Sequence, residues 1–436
     1  GLIQATGTGV VTVRGKGGDG ASGLVGVTVR GGGDILGGTS GTLTVVGTGG
    51  AQDSIFSAGD YGLYVTGSGS TISSAGANVS VTGVGGSFGN LRQYGLVVDA
   101  SGQISAGGGG TVSVVGQGGV SLNNHWGVVV SSNGVITSND GNVTVTGTGG
   151  GDGGGGNGNL GVFVDTSGLL SAGGSGTVSV TGQGGNSTGA GNFGVVVLGT
   201  VTSGGGAISV TGTATGTTIS AIDIESAGVV TTATNGGTIS LVGDSMSFDP
   251  TAVISAQSGS SVTLRQKTNG VAIDLGGADA ASTLGLTDAE LDRVSAGTII
   301  IGNANSGSIT FSADITRSAN TSVNLTTGNG NNIAFGAFSL NAGSGGDVTL
   351  TTSGSGAITT GDNTGTDLTA DDVTLNAGSG GVGSTTNFLR LAATTVTATT
   401  SGTGGISLTE ADSVTITSTG FTVGTGTIPL AGGTFT

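Results

Sequence analysis

Val79-Ser80-Val81-Thr82-Gly83 alternates apolar and hydroxyl side chains and closes on a glycine. A period of two puts both valines on one side of an extended chain and Ser80 and Thr82 on the other, the pattern of a half-buried strand. Variants of the string occupy Leu43–Val46, Val112–Val115, Val143–Thr146, Val178–Thr181, Ile208–Thr211 and Ile239–Val242. Starting from Leu43, successive copies begin 36, 33, 31, 35, 30 and 31 residues apart. Self-similarity at such a period marks a chain built from stacked units, none of which buries its apolar side alone.

Two further runs lie between consecutive strings. One reads bulky residue, glycine, apolar, any, apolar: Tyr61-Gly62-Leu63-Tyr64-Val65, Tyr94-Gly95-Leu96-Val97-Val98, Trp126-Gly127-Val128-Val129-Val130, Leu160-Gly161-Val162-Phe163-Val164 and Phe193-Gly194-Val195-Val196-Val197. The other carries a single apolar residue among small ones: Ile72, Ile104, Ile136, Leu170, Val201. Three short strands per unit predict an all-β fold, a parallel β-helix (β-solenoid) with three strands per coil. Equivalent strands then pair at about 4.8 Å from coil to coil, and Val79, Val112, Val143 and Val178 form a vertical row. Glycine is expected at the corners, where positive φ is needed. The scarcity of proline, two residues in all, fits a chain that uses its backbone donors in ladders.

The organisation changes along the chain. Residues 1–247 read as a regular solenoid of coils about 30–36 residues long. Residues 248–436 read as its continuation in shorter, less regular coils, with strands at Ser261–Leu264, Thr298–Ile301, Ser308–Phe311, Asp347–Leu350, Asp372–Leu375 and Ser413–Ile416. Thr287-Asp288-Ala289-Glu290 has the form of a capping box and predicts one short helix over residues 287–294.

Composition narrows the function classes. The chain has 436 residues, 99 of them glycine, yet it is 34% hydrophobic and only 8% charged, which argues against disorder. With no cysteine there is neither a disulfide nor a thiolate metal site. Net charge is −16 with nine basic residues, so nucleic acid is not an expected partner. No apolar run is long enough for a transmembrane segment. The sequence opens at Gly1 without methionine or a signal peptide, as expected of a mature form or a fragment of a longer exported protein.

Ile273-Asp274-Leu275-Gly276-Gly277, continuing through Leu286-Thr287-Asp288-Ala289-Glu290-Leu291 to Ala296-Gly297-Thr298-Ile299-Ile300-Ile301-Gly302, resembles a recurring element of filamentous-haemagglutinin-like large exoproteins and β-strand-repeat bacterial surface adhesins. The motif spans about 30 residues; the Gly/Ser/Thr/Val repeat style spans the chain less specifically. The resemblance implies export, a right-handed parallel β-helix and a role in adhesion or extracellular fibres. It transfers no catalytic motif.

Chemistry-bearing residues are few. His125 is the only histidine, and a satisfied or solvated loop histidine is the commoner reading than a Ser-His-Asp base. Asp223 and Glu225 flank Ile224 and share an outward face, suited to acid–base cleavage of a polysaccharide or, more simply, to a solvated strand that resists pairing. Asp362, Asp367, Asp371 and Asp372 offer oxygens for a structural calcium, but without EF-hand or tandem-repeat spacing. The glycines of Gly147–Gly156 match nucleotide-loop patterns by chance, and no Ser or Thr follows Lys16 to complete a phosphate loop.

The outward positions of the second run are the candidate interface stripe: Tyr64, Val97, Val129, Phe163 and Val196. An apolar stripe on a rod calls for a cover: its own glycine-rich loops, another chain, or a ligand. The expected function is a secreted or cell-surface structural or adhesive protein, not an enzyme, with a self-assembling fibre subunit as one form of it. Its expected partners are other copies of itself or the rest of a larger exoprotein, and surface glycans or receptors. No cofactor is expected. The alternatives are an ice-binding β-helix and a polysaccharide-active β-helix enzyme.

Overall fold

The computed structural model describes the chain except for residues 21–22, 53–58, 88–91, 218–219, 234–236, 318–319 and 412–436; the Ser413–Ile416 string lies outside the described residues. The chain divides into two compact units, Gly1–Gly243 with Ser247–Gln257, and Asp244–Met246 with Ser258–Thr436. Both are parallel β-solenoids with three strands per coil.

In the first unit the Val-Ser-Val-Thr-Gly strings form the first face. Its strands are Val11–Lys16, Leu43–Thr48, Val79–Val84, Val112–Gln117, Val143–Thr148, Val178–Gln183, Ile208–Thr213 and Ile239–Val242. Each pairs in parallel with the next, without a register shift. Val79 lies opposite Val112, Val112 opposite Val143, and Val143 opposite Val178, giving the expected row. The second face carries the strands Leu63–Thr66, Leu96–Asp99, Val128–Val130, Val162–Val164, Val195–Val197 and Ile222–Ile224, headed by Val27–Arg30. On the third face, Ile35, Ile72, Ile104, Ile136, Leu170, Val201 and Val230 form one inward column. All of these side chains are buried. Burial of a Val, Leu or Ile contributes roughly 1.5–3 kcal/mol, and the coil of Val79, for example, places five such side chains inside: Val79, Val81, Leu96, Val98 and Ile104.

Glycine takes positive φ at corners as expected, as at Gly67, Gly69, Gly108 and Gly174, but the glycines that close the first-face strings serve another purpose. Gly83, Gly116, Gly147 and Gly182 are not among the positive-φ residues. Each faces the carbonyl of the glycine that opens the second run of its own coil. A Cβ would lie 2.1 Å from the Gly95 oxygen at Gly83, 2.1 Å from Gly127 O at Gly116, 2.1 Å from Gly161 O at Gly147 and 2.0 Å from Gly194 O at Gly182. Backbone meets backbone there, and only glycine leaves the space. Conversely, at the corner between the second and third faces Ala100, Ser101, Ser132 and Asn133 take φ of 48°, 67°, 50° and 63°, so non-glycine residues carry part of the left-handed conformation.

Coil length varies at one corner. The first face ends at Thr48, Gln117 or Thr213 and the second resumes at Leu63, Val128 or Ile222, whereas the other two corners are short throughout. Asparagines tie the described parts of this corner from coil to coil. Asn157 N–H donates to Asn123 Oδ1 at 2.8 Å, and Ala190 N–H donates to Asn157 Oδ1 at 2.7 Å.

The second unit has shorter coils: Val323 pairs with Val348, Val348 with Val373 and Val373 with Val396. Two of its strands, Leu368–Ala377 and Leu389–Thr400, run from one face onto the next without a break. Phe311 and Phe335 stack with ring centroids 4.6 Å apart. The helix is a single turn, Asp288–Leu291, and its capping box forms as expected: Glu290 N–H donates to Thr287 Oγ1 at 3.3 Å and Thr287 N–H donates to Glu290 Oε2 at 2.9 Å. It stops short of residue 294 because Asp292 caps it and Val294–Ser295 is already a strand. Leu291 anchors the turn in the core.

Candidate functional site: an aromatic stack and a buried polar ladder

The stripe positions fall on one line. Tyr64 lies opposite Val97, Val97 opposite Val129, Val129 opposite Phe163, and Phe163 opposite Val196. Val97, Val129 and Val196 are buried and Tyr64 and Phe163 half-buried. Val97 and Val129 pack in one cluster with Tyr61, Tyr94 and Trp126, the bulky residues that precede the glycines. Tyr61 and Tyr94 stack with centroids 5.3 Å apart and 2° between planes; Tyr94 and Trp126 stack at 4.9 Å and 10°. Trp126 meets Phe163 at 4.8 Å, and Tyr61 meets Tyr64 edge-on at 5.2 Å. Both faces of Tyr94 are therefore occupied by neighbouring rings, and burial pushes its hydroxyl up to about 12. Trp126 also donates Nε1–H to Gly158 O at 2.6 Å. Trp126→Ala is expected to cost about 2 kcal/mol, from lost ring contacts and one hydrogen bond. Trp126→Phe is expected to recover about half, read by urea unfolding followed by circular dichroism.

Beneath the rings runs a feature that the sequence reading missed. The residue two before the glycine of each second run (Gly62, Gly95, Gly127, Gly161, Gly194) is polar: Asp60, Gln93, His125, Asn159, Asn192. All five are fully buried. Four of the five, Asp60, His125, Asn159 and Asn192, accept from the backbone of the coil before; among the described residues the Gln93 side-chain amide makes no hydrogen bond. Leu24 N–H donates to Asp60 Oδ1 at 2.8 Å, Gln93 N–H to His125 Nδ1 at 3.2 Å, His125 N–H to Asn159 Oδ1 at 2.9 Å and Asn159 N–H to Asn192 Oδ1 at 2.9 Å. Asn159 Nδ2 donates in turn to Leu122 O at 2.9 Å and Ser187 Oγ at 3.1 Å. Buried amides are thereby satisfied where the chain leaves its wide corner and enters a strand. The signal was available as a polar residue recurring at one position, but its identity changes from coil to coil.

His125 is thus a rung. Its Nδ1 accepts, so Nε2 carries the proton and donates to Ser121 Oγ at 2.7 Å. A ring in that tautomer is no base toward Ser121. Burial pushes His125 down to about 4, with Asp152 opposing weakly. An unfolded chain takes up this proton near the ordinary histidine value of 6.5. The rung's contribution is therefore complete above pH 6.5 and fades as pH falls toward 4, by roughly 3 kcal/mol in all. Asp223, pushed up to about 6 mainly by burial and then by Glu225, and Asp279, pushed up to about 7 by burial, act in the opposite sense. Their folded forms keep protons that the unfolded chain has released, so their contribution fades as pH rises from about 4. His125→Asn retains an acceptor of the kind used at the next rungs. The difference in unfolding free energy between native protein and His125→Asn, measured from pH 7 to pH 4, is expected to shrink by roughly 3 kcal/mol.

Asp223 stands outward, opposite Val196, between the buried Ile222 and Ile224, with Glu225 and Asp249 as its charged neighbours. The four aspartates considered for calcium are divided. Asp362 and Asp367 hold Arg390, at 2.8 and 3.2 Å, and Arg390 N–H donates to Asp367 Oδ2 at 2.7 Å. A guanidinium occupies the place between the two carboxylates where a cation was considered. Asp371 and Asp372 lie on the strand Leu368–Ala377, and Asp372 Oδ1 accepts from the Thr395 hydroxyl. Among the described residues no cluster of three or more His, Asp or Glu has the geometry of a metal site. Among the described residues no helix is long and apolar enough to cross a membrane. Comparison with protein-family models, with curated proteins and with solved structures finds no match to this chain.

Proposed function

We propose that the chain is a structural or adhesive element of a secreted or cell-surface bacterial protein, and that it catalyses no reaction. One observation carries this reading: the first face keeps strict register through eight strands. Ser80, Ser113, Thr144, Ser179, Ser209 and Ser240 then stand outward in one column at about 4.8 Å steps. Such a surface offers the same uncharged hydroxyl contact many times, and repetition turns individually weak contacts into firm attachment. Surface glycans or receptors are the proposed counterparts. The resemblance of the segment Ile273–Gly302 to filamentous-haemagglutinin-like exoproteins supports the same setting. Protease shaving and immunogold labelling of intact cells test it. Label at the surface, lost on shaving, is expected; protein confined to the cytoplasm would remove the reading.

The paired hydroxyl ranks favour a second reading, ice binding. Ser80/Thr82, Thr144/Thr146, Ser179/Thr181 and Ser209/Thr211 project from the first face in register, although Val46 and Val115 interrupt the outer rank. Thermal hysteresis above that of a control protein would support it and its absence dismiss it. The polysaccharide-cleaving alternative rests on Asp223 and Glu225 alone. Native protein that leaves every polysaccharide tested intact would eliminate it.

A further inference from the structure

Tyr61, Tyr64, Tyr94 and Trp126 are all the tyrosine and tryptophan of the chain, and they meet in one run of touching rings. Trp126 meets Tyr94 at 4.9 Å between centroids, Tyr94 meets Tyr61 at 5.3 Å, and Tyr61 meets Tyr64 at 5.2 Å. In a chain with no cysteine and one buried methionine, these are the side chains that yield an electron most readily. The eleven phenylalanines, far harder to oxidise, are scattered along the sequence. Packing alone does not require phenol or indole here, since Leu160 and Phe193 fill the same position in the next two coils.

The two ends of the run differ in what becomes of a proton. Trp126 Nε1–H donates to Gly158 O at 2.6 Å. A peptide carbonyl is too weak a base to keep that proton, so an oxidised indole held there stays a cation radical, its more oxidising form. Tyr64 O–H donates to Asp99 Oδ2 at 3.0 Å, and among the described residues it is the one tyrosine hydroxyl bonded to a carboxylate. A phenol gives up an electron more readily when its proton has a positioned base to move to. Tyr94, between the ends, has both faces covered, and burial pushes its hydroxyl up to about 12, so it passes a charge on and does not keep it. Trp126 and Tyr64 are half-buried, which leaves each end open to solvent at an edge.

We propose that this run is a radical relay that carries an electron hole from Trp126 through Tyr94 and Tyr61 to Tyr64. A one-electron oxidant, an oxygen- or nitrogen-centred radical, takes an electron from Trp126 and leaves as its anion. Tyr64 then gives up an electron through the stacked rings and its hydroxyl proton to Asp99 Oδ2, and Trp126 is restored. The products are a neutral Tyr64 phenoxyl radical and protonated Asp99. An external one-electron donor of the enediol class reduces the phenoxyl, and the Asp99 proton returns to its oxygen. The net change is one electron from donor to oxidant. This activity goes beyond the structural role proposed above and does not rest on it.

Pulse radiolysis of the purified full chain with the azide radical tests the relay, because indolyl and phenoxyl radicals absorb at separate wavelengths. In the native chain the Trp126 signal is expected to decay at a rate independent of protein concentration while phenoxyl grows in step. Tyr94→Phe keeps a ring in the stack without an oxidisable link and is expected to lose that phase. Asp99→Asn keeps the shape and removes the base; phenoxyl growth is expected to slow by about a hundredfold, the low end of what a positioned base contributes. Circular dichroism confirms that both conservative variants fold. A native Trp126 radical that decays only by encounter between molecules, with no matching phenoxyl, would overturn the proposal. So would transfer at the native rate in Tyr94→Phe, which puts the route outside the stack, or in Asp99→Asn, which removes its terminus.

Discussion

Gly116→Ala lowers the stability of the first unit by about 4 kcal/mol, the expected cost of forcing backbone against backbone where no side chain can yield. The added methyl would sit 2.1 Å from Gly127 O and 2.6 Å from a Val128 methyl. Relief requires the first and second faces of that coil to part, and both are tied in register to the coils on either side. Gly109→Ala is the control: nothing lies within 4 Å of its Cβ position and its φ is not positive, so a change within about 0.5 kcal/mol is expected. Urea unfolding read by the fluorescence of Trp126, the one tryptophan, measures both. Equal effects would show that the glycines are selected for chain freedom and not for space.

The second large effect is expected at Asn159. Leucine has its branching, a larger volume and none of its hydrogen bonds. Asn159→Leu strips the acceptor from His125 N–H and the donor from Leu122 O and Ser187 Oγ. Each buried group left unsatisfied costs about 1–3 kcal/mol, so a loss of about 4 kcal/mol is expected. Asn159→Asp keeps the acceptor, loses the two donors and buries a carboxylate, which is expected to make its cost grow as pH rises above the carboxylate range. Hydrogen exchange supplies a local readout: the His125 amide loses protection in Asn159→Leu, while amides two coils away keep theirs. Unaltered protection at His125 would mean that the ladder is not what holds this corner closed.

The alternation of Val79 to Thr82 was enough to predict strand, face and coil, because burial on a strand depends on parity alone. The capping box was legible because Thr287 and Glu290 are three residues apart and act locally. The polar ladder was not legible, since Asp60, His125 and Asn159 share neither charge nor shape; they share reach and position. His125 read alone is a polar residue in a loop. The pairing of Asp362 and Asp367 with Arg390 was hidden for another reason: one whole coil of the second unit separates them in sequence. Reading Asp362, Asp367, Asp371 and Asp372 as a group of oxygens overlooked the cation that the next turn delivers. The glycines misled in a third way, because positive φ and close approach leave the same letter in the sequence.

In the first unit two corners of each coil stay short, and the third takes up most of the difference in length. Drift in the gene can therefore accumulate at that wide corner without disturbing the walls, as furniture can be moved between load walls. An epitope or enzyme-cleavable tag spliced in after Gly154, on the exposed part of this corner, would be carried outside the barrel at a known height. The same splice after Gly116 would wreck it. Whole coils, whose two cut ends are alike, are the natural unit for lengthening or shortening such a protein, and single residues are not.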